Sequence, residues 1–131
     1  MKLLLDTHIL LAFVDDRLPS LGPAVERIVG DSRVEPYASV ASIWEIAIKW
    51  RAGKLNMRLR PDDLAEFFVE IGISILPIEA RHVVAPFDPE PPTRDPFDRL
   101  LLSICHADGL KLVTIDRALR SHPLSFGVSL S

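Results

Sequence analysis

Residues 3–14 read Leu-Leu-Leu-Asp-Thr-His-Ile-Leu-Leu-Ala-Phe-Val, and the order of residue types in that stretch decides the fold. Leu3 to Leu5 form the short unbroken apolar run expected of a strand buried on both faces. Asp6 closes the run, and a helix is expected from Thr7 to about Val14. A strand that hands over directly to a helix begins an alternating α/β pattern, and here it leaves an acid at the strand's carboxyl end.

Working outward, the alternation continues. A turn at Asp15 to Pro19 precedes a short helix from Leu21 to Val29, closed by Gly30. Val34 to Ala38 reads as a second strand, with Pro36 confining it to an edge or making it irregular. From Val40 to Ala52, the apolar positions Val40, Ile43, Trp44, Ala47 and Ile48, with Trp50, follow helical spacing up to Gly53. Trp44 and Trp50 read as packing residues. Pro61 opens another helix, Asp62 to Ile71, with Leu64, Phe67, Phe68 and Ile71 on one face. Ile73 to Leu76 form a strand and Glu79 to Val84 a short helix. Pro86, Pro89, Pro91 and Pro92 then stiffen a loop leading to Asp95. Pro96 at a first helical position starts a helix ended by Gly109. Lys111 to Ile115 make a strand ending at Asp116, and a last strand falls near Phe126 to Leu130. The expectation is one α/β domain over residues 1–131, with a parallel central sheet covered by helices on both faces.

Composition narrows the function. At 131 residues and 48% hydrophobic content the chain suits one domain with a real core. Its single cysteine, Cys105, excludes an internal disulfide and suits a reducing cytoplasm. Cys105 lies on the apolar face of its helix and reads as core. Asp6 and His8 interrupt the leucine-rich opening, which is not a signal-peptide core, and no apolar run is long enough to span a membrane. A formal charge of −3 argues against coating nucleic acid by bulk electrostatics. Local charge differs: between Ile46 and Pro61 there is no acid, while Lys49, Arg51, Lys54, Arg58 and Arg60 supply five cations. That run suits a solvated helix end, with phosphate contact as the sharper alternative. His8, His82, His106 and His122 have no spacing suggestive of zinc.

Four acids, Asp6, Glu45, Asp98 and Asp116, lie at the edges of apolar segments. Each has an ordinary structural use. Asp6 and Asp116 suit helix caps, Glu45 suits a capping box opened by Ser42 or a pair with Lys49, and Asp95 before Pro96 suits a capped start. Jointly they converge on the rim beyond the carboxyl ends of a parallel sheet, where sites of such folds lie. Carboxylates gathered in one pocket repel one another and call for a cation, and all-oxygen ligation favours Mg²⁺ with Mn²⁺ as a substitute.

The run from Leu3 to Leu11 resembles the opening of PIN-domain ribonucleases, in particular the VapC toxins of bacterial toxin–antitoxin pairs. Ser42-Ile-Trp-Glu-Ile-Ala-Ile-Lys with Gly53-Lys-Leu resembles that family's second acidic motif, Asp95-Pro-Phe-Asp-Arg-Leu-Leu its third, and Leu112-Val-Thr-Ile-Asp its fourth. The resemblance spans nearly the whole chain. It implies that Asp6, Glu45, Asp98 and Asp116 are catalytic and bind the metal. Asp95 stays open between a helix cap, a residue hydrogen-bonded to a ligand, and a direct ligand in place of Asp98. Thr7, Ser39 and Thr114 fall beside the motifs and are expected to position acids or water by hydrogen bonds. The resemblance further implies cleavage of structured RNA, such as transfer RNA or a ribosomal RNA loop, and a homodimer silenced by a VapB-type antitoxin. Faces around Phe67 and Phe68 offer docking surface, against their plainer reading as core.

The reading from another class is a catalytically silent PIN-like module that binds an antitoxin or RNA. Retention of all four acids opposes it. A phosphoacceptor receiver domain wants adjacent acids after the first strand, where Thr7 follows Asp6. A haloacid-dehalogenase-type phosphatase wants an acid at position 8, which is His8.

Overall fold

A computed structural model describes residues 1–85 and 89–126. Strands β1 (Lys2–Leu5), β2 (Glu35–Ser39), β3 (Ser74–Leu76) and β4 (Lys111–Val113) form an all-parallel sheet in the order β3-β2-β1-β4. The helices are α1 (Thr7–Val14), α2 (Pro23–Gly30), α3 (Val40–Arg51), α4 (Leu64–Glu70), α5 (Ala80–Val84), α6 (Pro96–Asp108) and α7 (Arg117–Arg120). The expected α/β architecture is the observed one.

The three leucines of β1 show why the sheet is covered twice. Side chains alternate along a strand. Leu3 and Leu5 accordingly enter a cluster with Ile9, Leu10 and Val14 of α1, Val25 of α2, and Leu64 and Phe68 of α4. Leu4 enters a second cluster with Leu101, Leu102, Ile104 and Cys105 of α6. All three leucines are fully buried, each worth about 1.5–3 kcal/mol of transfer free energy. Gly109 ends α6 at φ 70°, a left-handed conformation that a Cβ disfavours. Cys105 is buried in this layer, and burial pushes its thiol up, away from reactivity. Among the described residues, no helix is long and apolar enough to cross a membrane.

Several boundaries differ from the sequence reading. Pro36 lies in β2, which is an interior strand and not an edge. Pairing with β1 covers Pro36, but pairing with β3 begins only at Tyr37. Glu35 N–H donates to Met1 O on the β1 side, so the proline nitrogen faces the flank that β3 has not yet reached. The helix expected from Leu21 starts at Pro23, because a proline at N1 sets a new start, and Leu18–Leu21 forms a separate 3-10 turn. Likewise Pro61–Asp63 is a 3-10 turn ahead of α4. Phe68 is fully buried and Phe67 packs edge-on against it, so that pair belongs to the core rather than to a docking face.

The strand expected to reach Ile115 stops at Val113. Thr114 Oγ1 accepts the Asp116 N–H at 3.0 Å, and this local bond turns the chain out of the ladder. Ser125 bridges Leu112 in parallel, while most of the strand expected at Phe126 to Leu130 and part of the proline loop, including Pro86, lie outside the described residues.

The larger correction concerns α3. Its buried face is Ala41, Ser42, Glu45, Ile46 and Ala47, not the predicted Val40, Trp44 and Ile48, which are 38%, 57% and 41% exposed. Trp44 is therefore not a core residue. Helical spacing alone gave two apolar faces a comparable claim, and the core took the one that also carries Ser42 and Glu45.

Candidate functional site

Strand order 3-2-1-4 means that β1 and β2 are neighbours on one side, whereas the chain crosses the sheet to place β4 on the other side of β1. The crevice between the carboxyl ends of β1 and β4 is thus a topological switch point. Leu5 pairs with Val113, so the next residues, Asp6 and Thr114, stand side by side. Thr114 Oγ1 donates to Asp6 Oδ2 at 2.6 Å. Because the same hydroxyl oxygen accepts from Asp116 N, Thr114 ties two acids of the site together.

Asp6 is nearly buried and is held at both oxygens, since Thr7 N–H donates to Oδ1 at 2.7 Å. Burial raises its pKa, against the lowering effect of the bonds from Thr114 and Thr7. Asp6 also caps α1, the structural use expected of it.

Glu45 reaches the same rim from the buried face of α3. Thr7 Oγ1 lies 2.7 Å from Glu45 Oε1 and 2.9 Å from Ser42 Oγ. A hydroxyl has one proton: Thr7 gives it to the carboxylate and accepts from Ser42. Lys49 Nζ sits 2.9 Å from Glu45 Oε2, the i,i+4 pair foreseen from the sequence. The capping box opened by Ser42 does not form, because Ser39 caps α3 by accepting the Ala41 N–H at 3.0 Å. Ser39 is therefore a cap, and Ser42 takes the positioning contact expected of it.

Asp95 and Asp98 enter from α6. Asp95 is exposed and caps the helix, accepting Phe97 N–H at 2.8 Å. Asp98, one turn on and half-buried, is pushed up to about 7, first by desolvation and then by Asp95, Asp6, Asp116 and Glu45 in that order. Asp116 caps α7 through Ala118 N–H at 2.8 Å. The repulsion felt at Asp98 is the clearest sign that acids from four separate segments share one field. The positive ends of α1 and α6 partly offset it.

Lys49, foreseen as a partner of Glu45, and Thr93, not read as a site residue, join this group. Lys49 feels Asp95 and Asp98 in addition to Glu45, and all three raise its pKa, although burial opposes the rise. Thr93 Oγ1 accepts Asp95 N–H at 3.1 Å and lies 3.4 Å from Asp98 Oδ2. A lysine four residues after an acid was legible as a pair; its reach across to α6 was not. Six of the nine buried polar or charged residues among those described, Asp6, Thr7, Ser39, Ser42, Glu45 and Thr114, gather at this end of the sheet.

Among the described residues, no group of three or more His, Cys, Asp or Glu side chains is arranged to hold a metal ion as it stands. The donor set nevertheless suits a hard divalent cation: it is all oxygen, and four buried or half-buried acids with Asp95 outnumber the one lysine among them. Closing these carboxylates round an ion requires positive charge to offset the repulsion at Asp98.

An all-parallel α/β sheet with acids converging at its switch point defines a class of carboxylate-site proteins. Within that class the chain belongs to the PIN domain family, whose model matches residues 3–123. PIN domains are generally metal-dependent nucleases. A comparison with curated proteins gives no match.

Proposed function

We propose that this chain is a divalent-metal-dependent endoribonuclease and the toxin of a VapBC-type pair, with Mg²⁺ as the cofactor and Mn²⁺ as a substitute. What supports the reading is the geometry at one switch point: Thr114 joins Asp6 to Asp116, Thr7 joins the Asp6 turn to Glu45, and Asp98 stands in the field of all three acids.

In this reading Asp6, Glu45, Asp98 and Asp116 hold the ion. A bound dication would neutralise the scissile phosphate and lower the pKa of an attacking water. The protein's own groups prepare that chemistry. Asp6 is fixed by Thr7 N–H and the Thr114 hydroxyl, and Glu45 by the Thr7 hydroxyl and Lys49. Burial and the neighbouring acids push Asp98 up to about 7, so positive charge entering the pocket favours its ionised form. Hydrolysis then adds water across the phosphodiester: its oxygen bonds to phosphorus, the bond to the leaving oxygen breaks, and a proton reaches that oxygen.

PIN domains commonly bind RNA and often pair with antitoxins. On that basis the substrate is a structured RNA such as transfer RNA or a ribosomal RNA loop, the partner is a VapB-type antitoxin, and the protein acts in the cytoplasm as a homodimer. The deciding experiment compares RNA cleavage by the wild type and Asp6→Asn, each with Mg²⁺ or EDTA. Cleavage by the wild type in Mg²⁺ alone supports the reading, and equal activity in all four conditions overturns it.

One observation favours the silent-module alternative: Glu45 already has a cation in Lys49. Calorimetric titration with Mg²⁺ separates the two, because a silent module lacks a carboxylate-dependent metal site.

A further inference from the structure

Trp44 precedes Glu45 on α3 and Phe97 precedes Asp98 on α6, and the two aromatic rings meet. Their centroids are 5.3 Å apart at an interplanar angle of 70°, an edge-to-face contact. Trp44 is 57% exposed. The edge contact with Phe97 braces the indole, and more than half of Trp44 stays exposed one residue from Glu45.

The surroundings extend this surface. Val40, Trp44 and Ile48 recur at i and i+4 and are all exposed, and exposed Arg51 follows one turn later on the same helical face. About 10 Å of helix axis separates Trp44 from Arg51. Beyond it Lys54 is also exposed, and Arg60 lies 5.9 Å over the Trp50 ring. The stripe thus runs from an aromatic pair at the acidic rim into the acid-free basic segment. An aromatic face followed by guanidinium and ammonium groups matches an unpaired base followed by its phosphates. A purely apolar protein face would match the aliphatic part but would leave the basic continuation unused.

We propose that Trp44, held by Phe97, is a stacking platform for an unpaired RNA base next to the scissile phosphate, with Arg51 taking a phosphate further along the strand. This inference rests on the nuclease reading for the position of the scissile bond. The stacking contact itself is independent of cleavage. The platform selects single-stranded or looped RNA, because a base inside a duplex has no free face to offer.

The test uses full-length protein carrying Asp98→Asn, to spare the probe, and Trp50→Phe, to leave Trp44 as the sole tryptophan. A single-stranded oligoribonucleotide containing 2-aminopurine is titrated in Mg²⁺. The expected results are quenching of 2-aminopurine and of Trp44 on binding, loss of both signals in Trp44→Leu, and an affinity about 5- to 150-fold weaker, the equivalent of about 1–3 kcal/mol for one stacked base. Phe97→Leu is expected to give a smaller loss. Unchanged RNA affinity in Trp44→Leu overturns the proposal, whether or not its sedimentation shows that this face instead joins two copies of the chain. Quenching without any cleavage by the wild type would sustain the platform and sink the nuclease.

Discussion

Lys49 Nζ and Glu45 Oε2, one helical turn apart on α3, are 2.9 Å from each other, and the same ammonium feels Asp95 and Asp98 across the site. The lysine is thus an internal counter-ion in a pocket that has too many carboxylates. A bound dication and Lys49 stabilise the same negative charge, so they oppose each other. Lys49→Met is expected to lower the melting temperature of the metal-free protein at neutral pH and to tighten Mg²⁺ binding. Thermal unfolding and calorimetric titration check the two effects, and a Mg²⁺ affinity that falls in the variant would contradict the counter-ion role.

Asp98 predicts a pH dependence. Its folded-state pKa is raised to about 7 from an unfolded value near 3.8. The folded state therefore binds the proton more tightly, and the stability linked to it is complete below about pH 4 and is lost as pH rises through about 7. Asp98→Asn removes this dependence. The melting temperature of the metal-free variant minus that of the wild type is expected to increase steadily from acidic to neutral pH. A difference that stays flat or shrinks over that window would show that Asp98 is not in the shared field.

Thr114 offers the sharpest positioning test, because it donates to Asp6 Oδ2 and accepts from Asp116 N with no exposed surface of its own. Thr114→Val keeps the shape and removes both bonds. Metal affinity or RNA cleavage is expected to fall by about 10- to 100-fold, while Thr114→Ser recovers most of it. Equal losses in the valine and serine variants would point to packing instead of hydrogen bonding.

Much of this was legible from local pattern. Leu3 to Leu5 announced a strand buried on both faces, and Pro96 and Gly109 bracketed α6 at its observed limits. Asp6 could be placed at a strand end because the chain must turn there, whereas the strand expected to end at Asp116 stops at Val113 and Asp116 caps α7. What local pattern lacks is rotation and reach. The apolar residues of α3 fit more than one helical face, and only packing against β2, α1 and α6 decided that Glu45 points inward and Trp44 outward. Pro36 looked incompatible with an interior strand because the stagger between β2 and β3 is invisible in sequence. Ser42 was read as a capping-box opener and Thr93 was not read as a site residue for the same reason, since their partners, Thr7 and Asp98, are set by tertiary contacts.

The most direct measurement is a crystal soaked in Mn²⁺ and examined by anomalous diffraction. The account predicts a manganese peak in the crevice between β1 and β4, ringed by carboxylate oxygens from Asp6, Glu45, Asp98 and Asp116. No peak in that crevice at saturating Mn²⁺, or a peak coordinated elsewhere on the chain, would contradict it.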